Sequence, residues 1–284
     1  MQFTMYSRFI PTLAERGAVQ TADYAANLGF SSVEVLETTA PGHPSVIPDR
    51  ETAKTVRKIF AERGLTVACY SVGTSLYKSP EAAESLKYQA EIAAELGSPF
   101  LHHTLVPWLK LPENAPSFDE VLENVADAAA GIANYAAPLG ITCLYEDQGL
   151  YANGVDGFGR FYREIKNRSS NVGVCGDVGN VLFVDESPVP FFRTYIDEIR
   201  HVHIKDYLRK TCADCPGMYW LPTNNGGGSW VRDTMIGHGE IDLASCLAIL
   251  KDAGYDGALA FENEHPEPYE AGVKQGMDCL RRFL

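Results

Sequence analysis

Short apolar segments alternate along the chain with stretches of helical periodicity, and this alternation restricts the fold more than any other feature. The apolar segments are rich in β-branched residues, which is typical of strands buried on both faces. Eight such segments lie at 2–7, 32–37, 66–73, 99–105, 141–147, 172–180, 200–207 and 257–264. Eight helix candidates alternate with them. Buried strands that are each followed by a helix predict a parallel sheet covered by helices.

Several of the helical stretches carry recognisable end signals. Four of them lie at 19–30, 49–64, 79–97 and 117–140. The second opens on Asp49 and the third on Ser79 and Pro80, which are favoured helix starts, while Gly29 marks the end of the first. These signals support helices between the apolar segments.

Eight strand–helix units over 284 residues predict an α/β fold, a single (β/α)8 TIM barrel spanning residues 1–284. An open doubly wound sheet is the alternative. Neither a G-x-G-x-x-G fingerprint after the first strand nor a Walker A sequence supports it. No linker or change of composition marks a second domain. The one long connection, at about 208–240, is rich in Gly, Cys and Trp, and its length predicts a lid-like loop.

Composition and charge argue against several kinds of partner. The net charge is −13 and Lys and Arg form no run, so we expect no binding to nucleic acid or to an anionic membrane. No stretch of about 18 apolar residues predicts a membrane span, and residues 1–17 lack a signal-peptide pattern. Five of the seven cysteines lie in apolar segments, which is typical of reduced cytoplasmic proteins. Cys212 and Cys215 are expected to be free thiols, with a lid disulfide or a structural metal as the alternative.

Polar residues concentrate at the ends of four successive predicted strands. The fifth to eighth predicted strands each end at or near one such residue, which are in order Glu146, Asp177, His203 and Glu262. Neighbouring barrel strands carry their C-terminal residues to one face, so these four side chains can converge. Three carboxylates and one imidazole suit one divalent ion, Mn²⁺, Co²⁺ or Mg²⁺, with positions left for substrate oxygens. Zn²⁺ fits this ligand set less well.

With these residues the chain resembles a known family, the sugar isomerase and epimerase barrels related to xylose isomerase. The resemblance covers nearly the whole chain, through "AANLGFSSVEVLE", "GDVGN", "HVHIKD" and "GHGEIDL". In members similar to D-tagatose 3-epimerase, Glu, Asp, His and Glu from strands five to eight hold the metal. Carried over, the resemblance implies that Glu146, Asp177, His203 and Glu262 are the metal ligands.

The resemblance also implies an activity, which is isomerisation or epimerisation of a small carbohydrate or polyol. A divalent ion on a ketose carbonyl and the adjacent hydroxyl would stabilise a cis-enediolate. Glu146 and Glu262 would then act as base and acid. Lys205 or Asp206 would orient ligands or substrate hydroxyls, and Arg209 matches a substrate-contacting arginine of the epimerases.

Further substrate contacts are expected at the same face. Only one of His102 and His103 can point inward, and it would contact substrate unless it is a structural histidine. Glu34 faces the site or a residue that supports it, and a loop tryptophan can stack on a sugar ring or pack under the lid. The predicted substrate-binding residues are Asn180, Arg209, His103, Lys205, Trp108 and Glu34.

Departures from the epimerase pattern leave other activities open. Asn180 stands where the epimerases often have a histidine, and Ala152 where they carry a further glutamate. The principal alternative is a dehydratase of an inosose-like or dehydroshikimate-like substrate. A phosphodiesterase similar to endonuclease IV would need additional metal-binding histidines, and the presence of Asn180 and Ser71 counts against it. A non-catalytic sugar-binding barrel is a further alternative, but it would not need the intact metal ligands. Family members are commonly dimers or tetramers, so the resemblance implies a homo-oligomer.

Overall fold

A computed structural model describes residues 1–6, 9–38, 45–264 and 267–284. The strands in these residues are β1 Gln2–Met5, β2 Ser32–Thr38, β3 Thr66–Gly73, β4 Phe100–His103, β5 Thr142–Glu146, β6 Val172–Asp177, β7 Ile199–Ile204, β8 Asp206–Lys210, β9 Leu221–Pro222, β10 Trp230–Thr234 and β11 Ala258–Phe261. The α-helices are α1 Phe9–Asn27, α2 Arg50–Ala61, α3 Pro80–Leu96, α4 Phe118–Ala136, α5 Gly154–Lys166, α6 Pro188–Tyr195, α7 Leu243–Asp252 and α8 Tyr269–Leu280.

Eight of the strands form a closed parallel barrel, in the order β1, β2, β3, β4, β5, β6, β7 and β11. The ring closes where Gln2–Met5 pairs in parallel with Ala258–Phe261. This pairing excludes the open doubly wound sheet and confirms the predicted (β/α)8 barrel. The first strand is shorter than the predicted segment 2–7, and Ser7 lies outside the described residues.

The helix ends lie close to the residues that the sequence singled out. The carboxylate of Asp49 accepts the backbone N–H of Thr52 at 2.7 Å and caps α2. Ser117 caps α4 in the same way, accepting the N–H of Glu120 at 3.2 Å. Such caps satisfy backbone donors that have no partner inside the helix. The helix α1 begins earlier than predicted and is interrupted at Gly17, where φ is +74°.

Inside the barrel, side chains alternate between the interior and the surrounding helices. The register places Ser71, His102 and Leu144 side by side on adjacent strands, all facing inward. Cys69, Leu144 and Cys175 are fully buried and form a small apolar cluster of their own. Glu34 lies in register with Cys69, and His201 with Cys175, so polar and apolar side chains share this depth of the interior. Further polar side chains lie nearer the C-terminal ends of the strands.

The segment 208–240, expected to be a long lid-like loop, contains regular structure. The strands β8, β10 and β9 form a three-stranded antiparallel sheet in that order, with Asp206–Lys210 paired to Trp230–Thr234. The prediction of a loop was therefore wrong in its secondary structure. We call residues 206–240 the lid sheet segment. Its role as a lid within a single domain stays a prediction.

All seven cysteines fall within the described ranges and none of them is paired. Cys212 and Cys215 are exposed free thiols, as expected. No helix in the described part of the chain is both long enough and apolar enough to cross a membrane.

Candidate functional site

The four predicted ligands meet at the C-terminal end of the barrel. Glu146 and Asp177 end β5 and β6, His203 lies near the end of β7, and Glu262 follows β11 directly. One nitrogen or oxygen atom from each lies within 4.8 Å of those from the other three. His203 Nδ1 is 2.7 Å from Glu146 Oε1 and 3.3 Å from Glu262 Oε2. Its distance to Asp177 Oδ2 is 3.7 Å.

The donor chemistry of this cluster fits a divalent metal ion. Glu34 Oε1 lies 3.1 Å from Nε2 of His203, so a proton on Nε2 leaves the lone pair of Nδ1 facing the three carboxylates. A carboxylate behind the metal-facing histidine is the usual arrangement in protein metal sites. Three carboxylates around one imidazole nitrogen repel one another unless a cation lies between them.

Lys205 supplies positive charge at one side of the cluster. Its Nζ is 2.9 Å from Asp177 Oδ2 and 2.9 Å from Glu262 Oε2. Burial disfavours the ammonium, but Asp177 and Glu262 outweigh burial and raise the pKa of Lys205 well above its usual range. The lysine stem crosses Gly179, where a Cβ would lie 2.7 Å from Lys205 Cγ. The second glycine of the "GDVGN" motif therefore makes room for the lysine.

Burial and neighbouring charges shift the pKa values of the carboxylates in opposite directions. Burial raises the pKa of Asp177 to about 7, even though Lys205 acts in the opposite direction. Burial would also raise the pKa of Glu146, but His203 and His102 together hold it well below its usual range. Glu146 is thus kept ionised, as a metal ligand or a general base requires.

Glu34 lies beneath the cluster and corrects one prediction. Its side chain is fully buried, with Oε2 2.6 Å from His201 Nε2 and Oε1 hydrogen-bonded by Ser71 as well as His203. A carboxylate with no exposed surface, whose two oxygens already bind three side chains, is not placed to contact a substrate. The structure instead makes Glu34 the residue that holds the ring of His203 in place.

The pair His102 and His103 corrects a second prediction. The inward residue is His102, whose Nε2 is 3.4 Å from Glu146 Oε2 and whose Nδ1 is 3.1 Å from Ser71 Oγ. His103, predicted to bind substrate, is fully buried on the helix side, with its ring edge-on to Tyr145 at 5.2 Å. The cause is strand parity, because the register aligns His102 with the inward Leu144.

Three other predicted substrate contacts lie at different distances from the cluster. Asn180 is inside it, with Oδ1 3.1 Å from Lys205 Nζ. The guanidinium of Arg209 is bound to Asp185 at 2.5 Å, so the structure does not bring it to the four ligands. Trp108 follows β4 and packs edge-on to Tyr77 at 5.4 Å. Substrate binding by these three residues stays a prediction.

Sequence reasoning missed contacts that several residues make around the site. The ring of Tyr6 stacks on His203 at a centroid distance of 4.8 Å. Asp147 Oδ1 accepts the backbone N–H of Asp177 at 3.0 Å and so ties β5 to β6. Asp206, expected to orient ligands or substrate, instead accepts the N–H groups of Gly237 and Gly239 at 2.9 and 2.8 Å. The glycine-rich "GHG" turn was the available signal for this last contact.

Comparison with known proteins agrees with the barrel fold. Residues 22–283 match the family model of the xylose isomerase-like TIM barrel. An inosose dehydratase of Geobacillus thermodenitrificans is 24% identical over 238 residues, which cover 78% of each chain.

Two solved structures illustrate the shared fold. A D-allulose 3-epimerase from Methylomonas sp. superposes with a TM-score of 0.73 at 16% identity, covering 100% of this chain and 98% of that chain. The IolI protein, solved with a zinc atom, superposes with a TM-score of 0.72, the same identity and the same coverage. At such identities the two structures show the fold alone.

Proposed function

The chain belongs to the xylose isomerase-like TIM barrel family, and from that premise we propose that it is a metal-dependent isomerase or epimerase of a small carbohydrate or polyol. The observation that carries the proposal is the convergence of four ligand atoms within 4.8 Å of one another. They come from Glu146, Asp177, His203 and Glu262. Similar proteins are enzymes named for sugar epimerisation and inosose dehydration.

The four residues would hold one divalent ion, with Mn²⁺, Co²⁺ or Mg²⁺ favoured by the carboxylate-rich set. A bound ion would act as a Lewis acid that stabilises the negative charge of a cis-enediolate. The zinc atom of the similar IolI structure makes Zn²⁺ the fourth metal to test. Glu34 would keep Nδ1 of His203 directed at the ion.

Glu146 and Glu262 would move the proton. Both are carboxylates of the cluster, but their surroundings differ, since the Glu146 side chain is 2% exposed and that of Glu262 is 17% exposed. One carboxylate would remove the proton from the carbon beside the carbonyl, and the other would return a proton to the opposite face. Lys205 and Asn180, which touch each other beside Glu262, would hydrogen-bond substrate hydroxyls.

A dehydratase is the second candidate, and the inosose dehydratase relative supports it. Both reactions begin with the same proton removal from the carbon beside the carbonyl. In dehydration the enediolate would then lose a β-hydroxyl, which would take a proton from one of the two glutamates and leave as water, and the first carbon would not be reprotonated. The four ligands and the two glutamates would serve either reaction.

One experiment separates these candidates and tests the proposal. The protein is stripped of metal with a chelator, and its activity is measured before and after adding back Mn²⁺, Co²⁺, Mg²⁺ or Zn²⁺. D-Fructose, D-tagatose, scyllo-inosose and dehydroshikimate are each incubated with it in D₂O and followed by NMR. Deuterium at the carbon beside the carbonyl of recovered ketose supports epimerisation, and loss of water supports dehydration. Full activity without metal, or no reaction with any compound, would overturn the proposal.

A further inference from the structure

The lid sheet segment contains a turn, residues 211–220, that carries two cysteines which the proposed function does not use. We call it the cysteine turn. Cys212 and Cys215 form a C-x-x-C pair just after β8, and both side chains are exposed. The chain bends at Ala213 and Asp214, between the two cysteines. A bend at the central residues of a four-residue segment brings its ends towards each other, which favours a reaction between the two sulfur atoms.

The two sulfur atoms make only weak hydrogen bonds, and each bond needs the thiol proton. Cys212 Sγ donates to the backbone carbonyl of Asp214 at 3.2 Å, and Cys215 Sγ donates to that of Gly217 at 3.3 Å. A thiol is a weak hydrogen-bond donor. Little therefore holds the two sulfur atoms in their reduced arrangement, and oxidation would remove both contacts.

The other five cysteines are poor competitors for an oxidant. Cys69, Cys143, Cys175 and Cys246 are buried, and Cys279 is partly buried. Burial raises the pKa of the Cys143 thiol to about 12, and it raises the pKa of the Cys246 thiol to about 12 as well. The nucleophile in thiol–disulfide exchange is the thiolate, which must also be accessible. Burial therefore confines the reaction to the exposed pair.

A metal ion is the other partner that a C-x-x-C pair suggests, and the structure argues against it. Structural zinc sites take four protein ligands and catalytic zinc sites take three. Among the residues that the structure describes, neither Cys212 nor Cys215 belongs to a group of three ligand atoms close enough to share an ion. The carboxylate of Asp214, which lies between them, does not complete such a group. The pair is therefore better suited to a disulfide than to a metal ion.

The cysteine turn is linked directly to the strands of the lid sheet segment. The indole Nε1 of Trp230, the first residue of β10, donates to the backbone carbonyl of Cys212 at 3.1 Å. Lys210, the last residue of β8, lies over the ring of Trp220 at 5.0 Å. A change of backbone conformation at Cys212 should therefore reach the ends of both strands and the surroundings of both tryptophans.

We propose that Cys212 and Cys215 form a reversible disulfide that acts as a redox-sensitive clamp on the cysteine turn. The oxidant is a low-molecular-weight disulfide such as glutathione disulfide. The thiolate of one cysteine attacks it, which forms a mixed disulfide and releases one glutathione thiolate. The thiolate of the other cysteine attacks the protein sulfur of this mixed disulfide, which closes the Cys212–Cys215 bond and releases the second glutathione thiolate.

The reaction balances without any further reagent. Two protein thiols are oxidised to one disulfide, and one glutathione disulfide is reduced to two thiols. The protons of the two protein thiols pass through solvent to the two released glutathione molecules. The proposal is independent of the proposed function, since it uses neither the metal site nor a substrate.

Mass spectrometry of the full-length protein tests the pairing. Trypsin cleaves after Lys210 and Arg232, so one peptide, 211–232, contains both cysteines. After incubation of the reduced protein with glutathione disulfide, we expect this peptide to lose two hydrogens, to retain no glutathione and to recover both hydrogens with dithiothreitol. Cys212→Ser and Cys215→Ser should each retain one glutathione, because the mixed disulfide has no second thiol to resolve it. Cys279→Ser is the matched control and should react as wild type does.

Hydrogen exchange and tryptophan fluorescence test the clamp. Amides of residues 211–222 should exchange about tenfold more slowly in the oxidised protein, because a covalent link removes locally opened conformations. The fluorescence of the protein should change on oxidation and return on reduction, whereas Cys215→Ser should show neither the slower exchange nor this change. No reaction, a mixed disulfide that persists in wild type, a disulfide between two molecules, or one zinc ion that blocks both thiols would overturn the pairing. Equal exchange rates in the two redox states would overturn the clamp.

Discussion

The two ends of the barrel differ in the side chains that they carry. At the N-terminal end a cavity of about 770 Å³ opens between the residues that precede the strands, with Arg200, Tyr255 and Asp256 in its wall. At the C-terminal end the strands finish in the carboxylates and imidazole of the candidate metal site. The apolar cluster of Cys69, Leu144 and Cys175 occupies the barrel interior between them.

The presence of a cavity at the N-terminal end does not by itself locate the chemistry there. In a parallel barrel the loops after the strands are built for function, and those before the strands serve mainly stability. Among the described residues, every group of side chains close enough to share a metal includes residues from the C-terminal halves of strands. Substitutions at the two ends should therefore have effects of very different size and kind.

The largest effect is expected at the two glutamates. Glu146→Gln and Glu262→Gln should each lower kcat by about 10²- to 10⁴-fold, because an amide can neither take up the proton nor supply it. Circular dichroism should show an unchanged fold. Asp256→Asn, at the opposite end, is the matched acid-to-amide control and should keep wild-type activity. Equal losses in all three variants would break the comparison between the ends.

A smaller loss is expected beneath the cluster. Glu34→Gln should weaken metal binding by about 10- to 100-fold, because the residue that orients His203 loses its charge. Competition with a metal-sensitive dye gives the affinity directly. If Glu34 bound substrate instead, KM would rise while metal affinity stayed at its wild-type value.

The layer between the ends should affect stability rather than chemistry. Leu144→Ala removes a fully buried side chain and should lower the free energy of unfolding by about 2–5 kcal/mol. Chemical denaturation measures this change, while metal affinity of the folded protein should remain. A loss of metal affinity without a loss of stability would show that the layer supports the site directly.

The smallest effect is expected at the wall of the N-terminal cavity. Arg200 is exposed and its Nη1 donates to the carbonyl of Asp197 at 2.8 Å. Arg200→Ala should change the free energy of unfolding by no more than about 0.5 kcal/mol and leave KM unchanged. A raised KM would assign substrate binding to the N-terminal cavity.

The barrel and the four converging residues could be predicted because both follow from patterns that repeat along the whole chain. Eight repeated units define the fold, and the polar strand ends then share a face. The contacts that each side chain of the site makes were harder to predict. The sequence alone does not distinguish His102 from His103 as the inward residue, because strand parity is unknown until the register with β5 is known. Glu34 lies deeper than a strand-end residue, and the short strands of the lid sheet segment carry too little periodic pattern to be recognised.

The carboxylate of Asp206 fastens the start of the lid sheet segment to its end, through the N–H groups of Gly237 and Gly239. A side chain at Gly239 would lie 2.1 Å from this carboxylate, so the fastening leaves no room for a larger residue. Between these two points the segment is also tied to the loops of the barrel, because Arg209, Thr223 and Ser229 all donate to Asp185. The carboxylate of Asp206 therefore sets the separation of the two ends of the segment, and a substitution at Asp206 should disturb both ends at once.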